Sequence, residues 1–408
     1  MFDYQTFVEQ RRGGISRYIS MVAPLLADHS CLPRIVAPLH VNLHVEGVPA
    51  SMRIGIALPR FRGAMRVAAK ASSAASLLLI RAVRPDVVHE SYYAVRSPAP
   101  KAARRVLTVH NMIRELFPEN IRPNDDTRVR KAAAVNRADL ILCVSENTRS
   151  DLIRFFPHAE SRAQVTHLGV DRPDADGSSP RQHGRPYLLY VGHRAGYNNF
   201  GGLFDAYAGS LMLRDGFDLI AAGGGPFGPA EQERIAASGL EAHVHHVVPS
   251  DEELQRLNAG AAVFVYPSLN ESFGIPPLEA MASGCPVVSV NTSSIPEVCG
   301  DAAELAPDGF VEALRAAIEK VALLLERTEA LRATGMSASR SFRGMPAART
   351  ASLDWEGSWC DMSRLAIACG IFPTGRAGLG RKAPADVANV TRNDHAGPLT
   401  EIEKECAA

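Results

Sequence analysis

The chain has 408 residues, 46% hydrophobic and 22% charged, with 44 Lys+Arg against 44 Asp+Glu. That is ordinary globular composition at a length that suits two domains rather than one. No apolar run approaches 18 residues, the nearest being AASLLLI at 74–80, which argues against a spanning helix.

The charge is unevenly spread: residues 1–182 hold 26 Lys+Arg against 17 Asp+Glu, and the remainder 18 against 27. A basic half joined to an acidic half fits an anionic ligand or surface met by the first half, or plain drift in surface composition. The opening MFDYQTFVEQRRGG is polar and mixed, so no secretory signal is expected there. Seven cysteines at 31, 143, 285, 299, 360, 369 and 406 form neither a metal spacing nor a disulfide framework, which points to a reducing cytoplasm.

In chain order, a first strand is expected at MFDYQTF, then a turn at Gly13 and Gly14, then a helix from near Ile15. Glycines there let the backbone approach a phosphate closely, although a Gly-Gly pair is often just a turn. Residues 57–85 place Arg60, Arg62, Arg66 and Lys70 beside an apolar stretch. That suits an amphipathic segment on an anionic membrane leaflet, or equally an ordinary helix with a solvated basic face. PDVVHE (85–90), RVLTVH (105–110) and DLILCVSE (139–146) read as parallel strands, and His110 stands at the carboxyl end of the second.

Residues 172–186 are polar and rich in Pro and Gly, a natural linker. Asp174 and Asp176 there spell Asp-x-Asp, which can mark a metal site but in a linker reads as solvated surface. Beyond it, PYLLYVG, FDLIAAGG, HVHHVV, AAVFVYPS and PVVSV are the second half's strands. Strands spaced by helical stretches imply two doubly wound α/β domains. Gly223-x-Gly225-x-x-Gly228 matches a dinucleotide fingerprint, but Pro226 interrupts the helix start and no acid follows at the expected spacing.

NESFGIPPLEAMASGCPVVS, 270–289, is the most informative stretch. Pro276 and Pro277 suit the first turn of a helix and Gly284 its stop, so Glu271 and Glu279 lie at and just inside a helix N-terminus. That place is the crevice above a strand's carboxyl end, where open α/β sheets bind ligands. Residues 308–335 read as one long amphipathic helix. The expected domains are 1–182, with the linker from about 172, and 183–340. A helical segment at 341–370 and a disordered tail at 371–408 follow.

Six motifs in order resemble the retaining glycosyltransferases of family four: QRRGGISRY, LTVHNMIRELFPE, LILCVSENTRSDL, YVGHRAGYNNF, AAGGGPFG and the block 264–303. The resemblance runs from the N-terminus to roughly Ala333. The YVGHRAGYNNF block is most similar to mannosyltransferases of bacterial surface-polysaccharide assembly. The resemblance implies the α/β GT-B fold, two facing Rossmann-like domains with a donor cleft between them.

It further implies hexose transfer from a nucleotide-sugar donor to a glycan or lipid-linked acceptor, with no cofactor, no metal and no nucleic acid. Location would be cytoplasmic, with peripheral contact at the inner face of the membrane. Glu271 would meet donor-sugar hydroxyls, Glu279 the ribose, and Phe273, Gly274 and Ile275 the phosphates. His110 would contact donor sugar or acceptor, Arg194 the diphosphate, and Gly224 a loop near the base, with Gly13 and Gly14 also on the donor. The sequence departs from the family at Asn198, where lysine is usual, and at Asn111, where aspartate is frequent. Two rivals stay open: a dinucleotide oxidoreductase on the glycine fingerprint, and a degenerate, non-catalytic partner on Asn198.

Overall fold

The computed structural model describes residues 1–9, 11, 13–27, 31–58, 64–120, 124–170 and 184–342. Twelve strands are described: β1 (Ile35–His40), β2 (Arg53–Ala57), β3 (Val87–Glu90), β4 (Arg104–Val109), β5 (Leu140–Cys143), β6 (Ala163–Val165), β7 (Tyr187–Val191), β8 (Asp218–Ala222), β9 (Val244–Val247), β10 (Val263–Tyr266), β11 (Val287–Val290) and β12 (Ala303–Ala306). All their pairings are parallel.

The second half forms one six-stranded sheet in the order β12-β11-β10-β7-β8-β9. The chain enters at β7 in the middle and winds outward both ways, so the direction reverses between β7 and β10. In the first half β3-β4-β5-β6 form one sheet and β1-β2 another. Single bridges from Phe2 to Ile35 and to His89 join them.

Burial on both faces explains the unbroken apolar strands. In β10, Val263 and Val265 pack with Leu203, Phe204 and Ile318 on one face of the sheet. Phe264 and Tyr266 pack with Leu278, Met281 and Ile295 on the other. Fully burying each such side chain contributes roughly 1.5–3 kcal/mol.

Two expectations about elements fail. MFDYQTF is not a strand: Phe2 makes isolated bridges and Gln5–Glu9 is a short helix. The buried Asp3 carboxylate takes the Gln5 side-chain amide at 2.6 Å and the Ser91 N–H at 2.9 Å, turning the chain away from the sheet. The long helix is two, Val311–Leu323 and Leu325–Ser341, broken where Leu324 leaves helical geometry (φ −101°, ψ 101°). The linker with Asp174 and Asp176, most of the segment 341–370 and the tail from 371 lie outside the described residues, as do Arg60 and Arg62. Arg66 falls in the Ala64–Val83 helix, whose exposed face includes Lys70 and Leu78.

Candidate active site

The crevice where the second sheet reverses direction is built by the turn after β7, residues 192–199, and the loop after β10, residues 267–274. Glu271 is fixed through its backbone: its N–H donates to the Ser293 hydroxyl at 2.7 Å and its carbonyl accepts from the Ser294 hydroxyl at 2.9 Å. Burial pushes the Glu271 carboxyl above its ordinary pKa, while hydrogen bonds from the Ser268 and Tyr266 hydroxyls pull it back. Tyr190 and Tyr197 also face it; burial chiefly, then the Glu271 charge, raises both phenols. A half-buried carboxylate walled by phenols suits hydrogen bonds to a polyol.

Three residues on, Gly274 caps the Ile275–Ala282 helix in the left-handed region (φ 98°, ψ 52°). An added Cβ there would meet Ile295 at 3.0 Å. The prolines at 276 and 277 carry no N–H. The N–H donors ahead of the first intrahelical bond are therefore those of Phe273, Gly274 and Ile275, and none has an acceptor among the described residues. Unpaired amides at a helix N-terminus are the kind of group that favours an anion. The Phe273 ring is buried against His167 and Phe342, with centroids 5.8 and 5.7 Å away. Glu279 faces the first half, where Arg17 Nη1 meets its Oε1 at 3.2 Å.

Arg194 is placed differently from a free cation on the crevice. Its side chain is 6% exposed, and the guanidinium holds Glu231 in a bidentate pair at 2.7 and 3.2 Å. It also donates to the carbonyls of Gly223 at 3.0 Å and Pro226 at 2.9 Å, and lies 4.8 Å from the Phe227 ring centroid. The Arg194 hydrogen bond is the main reason the Glu231 carboxyl titrates below its ordinary range. The residue thus ties the turn after β7 to the glycine loop after β8. Gly223, Gly224 and Gly225 all have positive φ, at 85°, 71° and 79°.

At Gly224 an added Cβ would stand 2.8 Å from the Gly192 carbonyl and 3.1 Å from Arg194 Nη1, whereas at Gly225 nothing lies within 4 Å. Gly224→Ala is expected to cost about 1–3 kcal/mol, from backbone strain plus this clash. Gly225→Ala should cost about 1 kcal/mol from strain alone. Equal melting temperatures for the two variants would show that packing against the turn is not what requires Gly224.

Asn198 lies in the same turn, its side-chain amide donating to the Ala195 carbonyl at 2.9 Å. From the first half, Gly13 and Gly14 begin the Gly14–Ala27 helix, and space is open where a Cβ on Gly14 would stand. That helix carries Arg17 to Glu279 and Tyr18 to His110, whose rings meet edge to face at 5.6 Å. Burial drives the His110 pKa down to about 4, so its imidazole is neutral at pH 7. The Phe117 ring stacks on Tyr197 across the halves at 6.4 Å and 13°.

The structure therefore gathers Glu271, Phe273, Gly274, Ile275, Glu279 and Asn198 at one crevice, with Gly13, Gly14 and His110 joined to it through one helix. Gly224 and Arg194 form the loop beside it. Sequence reasoning did not single out Arg17, Tyr266, Ser268 or Glu231 as functional. Arg17 sits inside QRRGGISRY and Tyr266 ends a buried strand, but nothing local says which carboxylate each meets.

Residues 171–337 match the family model for glycosyl transferases group 1, and residues 12–174 that for glycosyltransferase family 4. O-antigen chain mannosyltransferase B of Escherichia coli is 35% identical over 231 residues, 53% of this chain and 60% of that protein. The serotype-specific mannosyltransferase WbdA of Escherichia coli is 28% identical over 319 residues, 71% of this chain and 38% of that protein. The matches thus span under two thirds of either relative's own length. Sucrose-phosphate synthase from Thermosynechococcus elongatus superposes with a TM-score of 0.67 at 17% identity, covering 90% of this chain and 98% of that one. WaaG, a glycosyltransferase involved in lipopolysaccharide biosynthesis, does so at 0.64 and 16%, with the same coverage. These likenesses establish the GT-B fold.

Proposed function

Because the chain belongs to the group 1 glycosyltransferases of family four, we propose that it is a retaining, metal-independent hexosyltransferase. It moves a sugar, mannose being the leading choice, from a nucleoside diphosphate to a growing surface glycan or its lipid carrier. The observation that carries this reading is the adjacency, within five residues, of the polyol-suited Glu271 and the three unpaired amides of Phe273, Gly274 and Ile275. Sugar transfer develops positive charge on the ring and negative charge on the departing diphosphate. The amides and helix dipole stabilise the second, and the Glu271 carboxylate the first.

Glu279, its charge steadied by Arg17, holds the ribose, while neutral His110 accepts or donates one hydrogen bond at the sugar or acceptor. Transfer proceeds on one face, with the leaving diphosphate taking the acceptor proton. The mannosyltransferase names of the two Escherichia coli relatives favour mannose. No described helix is long and apolar enough to cross a membrane, and we place the reaction at the cytoplasmic face, where nucleotide sugars are made.

A panel of GDP-, UDP- and ADP-hexoses with purified protein tests the reading. Hydrolysis or transfer of one donor, unchanged by excess EDTA, is expected. Loss of turnover in EDTA and its return with magnesium or manganese would refute the metal-free account of leaving-group stabilisation. The pairing of Arg194 with Glu231 and the missing lysine at Asn198 favour a second reading, a non-catalytic binding subunit. Donor binding without any turnover across the panel would support it.

A further inference from the structure

Ser145 ends the connection after β5 in the first half and caps the Glu146–Phe155 helix, its Oγ accepting from the Thr148 N–H at 3.0 Å. That leaves the Ser145 hydroxyl one proton to place. Its acceptors are Thr148 Oγ1 at 3.0 Å and, nearer and across the cleft, the Ser272 carbonyl of the second half at 2.6 Å, which the Thr148 hydroxyl also reaches at 3.1 Å. Both side chains are buried, at 0% and 1% exposure. Two hydroxyls of one half therefore lie within hydrogen-bond distance of a single carbonyl on the other, which has two lone pairs to offer.

The bond between Ser272 and Phe273 is trans, since no cis peptide occurs among the described residues. In a trans peptide the C=O and N–H point in opposite directions. Fixing the Ser272 carbonyl toward the Glu146–Phe155 helix thus fixes the Phe273 N–H, the first of the three unpaired amides, away from it. The buried Phe273 ring keeps the peptide from turning about its other end. Glu297 of the second half strengthens the same contact. Its carboxylate accepts from the Glu146 N–H at 2.8 Å and the Asn147 N–H at 3.3 Å, and meets His167 Nε2 at 2.6 Å.

We propose that Ser145 and Thr148 are positioning residues for the donor diphosphate, aiming the Phe273 amide by holding the Ser272 carbonyl when the two halves meet. The proposal rests on the reading of 273–275 as the diphosphate site and adds that this site is completed from the other half. Closure and diphosphate binding then favour each other, because the same contact serves both.

The test is calorimetry with whichever of GDP, UDP or ADP binds the parent best, set against the monophosphate of the same base. The Ser145→Ala/Thr148→Val double variant is expected to lose at least tenfold in diphosphate affinity while binding the monophosphate within about twofold of the parent. Thr148→Val, which leaves the helix cap in place, should show part of the loss. Ser145→Thr, which keeps both cap and donor, should restore it.

A general loosening of the fold would weaken monophosphate and diphosphate alike, and that result overturns the proposal. So does undiminished diphosphate affinity in Thr148→Val and the double variant, while leaving the function reading intact. If the parent binds none of the three diphosphates, the function reading and this proposal fall together.

Discussion

Glu271→Gln is expected to slow transfer by about a hundred- to a thousandfold and, at the same time, to raise the melting temperature at pH 7. On the proposed function, the first effect follows from removing a charge that faces a developing cation. The second follows from the direction of the Glu271 shift. Burial holds its proton more tightly in the folded protein than in the unfolded chain. Between the ordinary carboxylate pKa and the raised one, folding therefore takes up a proton, and stability falls as pH climbs through that window.

Above the window the buried charge remains as a standing cost, which the neutral amide does not carry. The Tyr266 and Ser268 hydroxyls still have an oxygen to donate to. The check is melting temperature for parent and variant at pH 5 and pH 8, alongside kcat/KM. The stabilisation should be larger at pH 8. A variant less stable than the parent at pH 8, or one that turns over normally, would show that Glu271 is not a strained functional charge.

Lys131→Met should destabilise the fold by about 3–5 kcal/mol, because it strands a buried carboxylate. Lys131 is 0% exposed, and its Nζ lies 2.6 Å from Glu115 Oε2, 2.9 Å from the Asn111 carbonyl and 5.2 Å from the Tyr93 ring centroid. Burial pulls the Lys131 pKa down and Glu115 pulls it back, so each charge depends on the other. Glu115 is 6% exposed and its Oε1 has no hydrogen-bond partner among the described residues, so the lysine is its main support there.

The Lys131→Met/Glu115→Leu pair should recover most of the loss, since well-packed apolar residues replace a buried ion pair at little cost. Urea denaturation of the two singles and the double gives the cycle directly. A single-variant loss under about 1 kcal/mol would mean that water reaches Glu115. Because Asn111 follows His110, donor turnover in Lys131→Met should also fall before the fold does.

The strands around the crevice were legible because burial on both faces leaves an unbroken apolar run, as in β5, β7 and β10. Strand β1 carries Pro38, β2 is mostly exposed and β6 spans three residues, so none shows such a run. MFDYQTF misled because its aromatic content is strand-like, while one of the two Asp3 contacts that bend it comes from Ser91, 88 residues away. Glu271 and Glu279 were visible through their local frame of prolines and glycines. Their partners were not, since Arg17 is 262 residues from Glu279 and Glu231 is 37 from Arg194. Composition and periodicity constrain neighbours along the chain, and the tertiary fold alone decides such pairs.

The confinement of Arg194 bears on how the protein responds to ionic strength. A guanidinium neutralised by Glu231 and stacked on Phe227 projects little field into solvent. On the proposed function, a nucleoside diphosphate approaching the second half would be drawn in by oriented peptide dipoles, which act over a few ångströms. Free cations would act over about 10 Å at 0.1 M salt and would be screened as salt rises. Capture through dipoles forgoes long-range steering and the fast association it brings, and in exchange varies little as the ionic strength of the surroundings rises and falls.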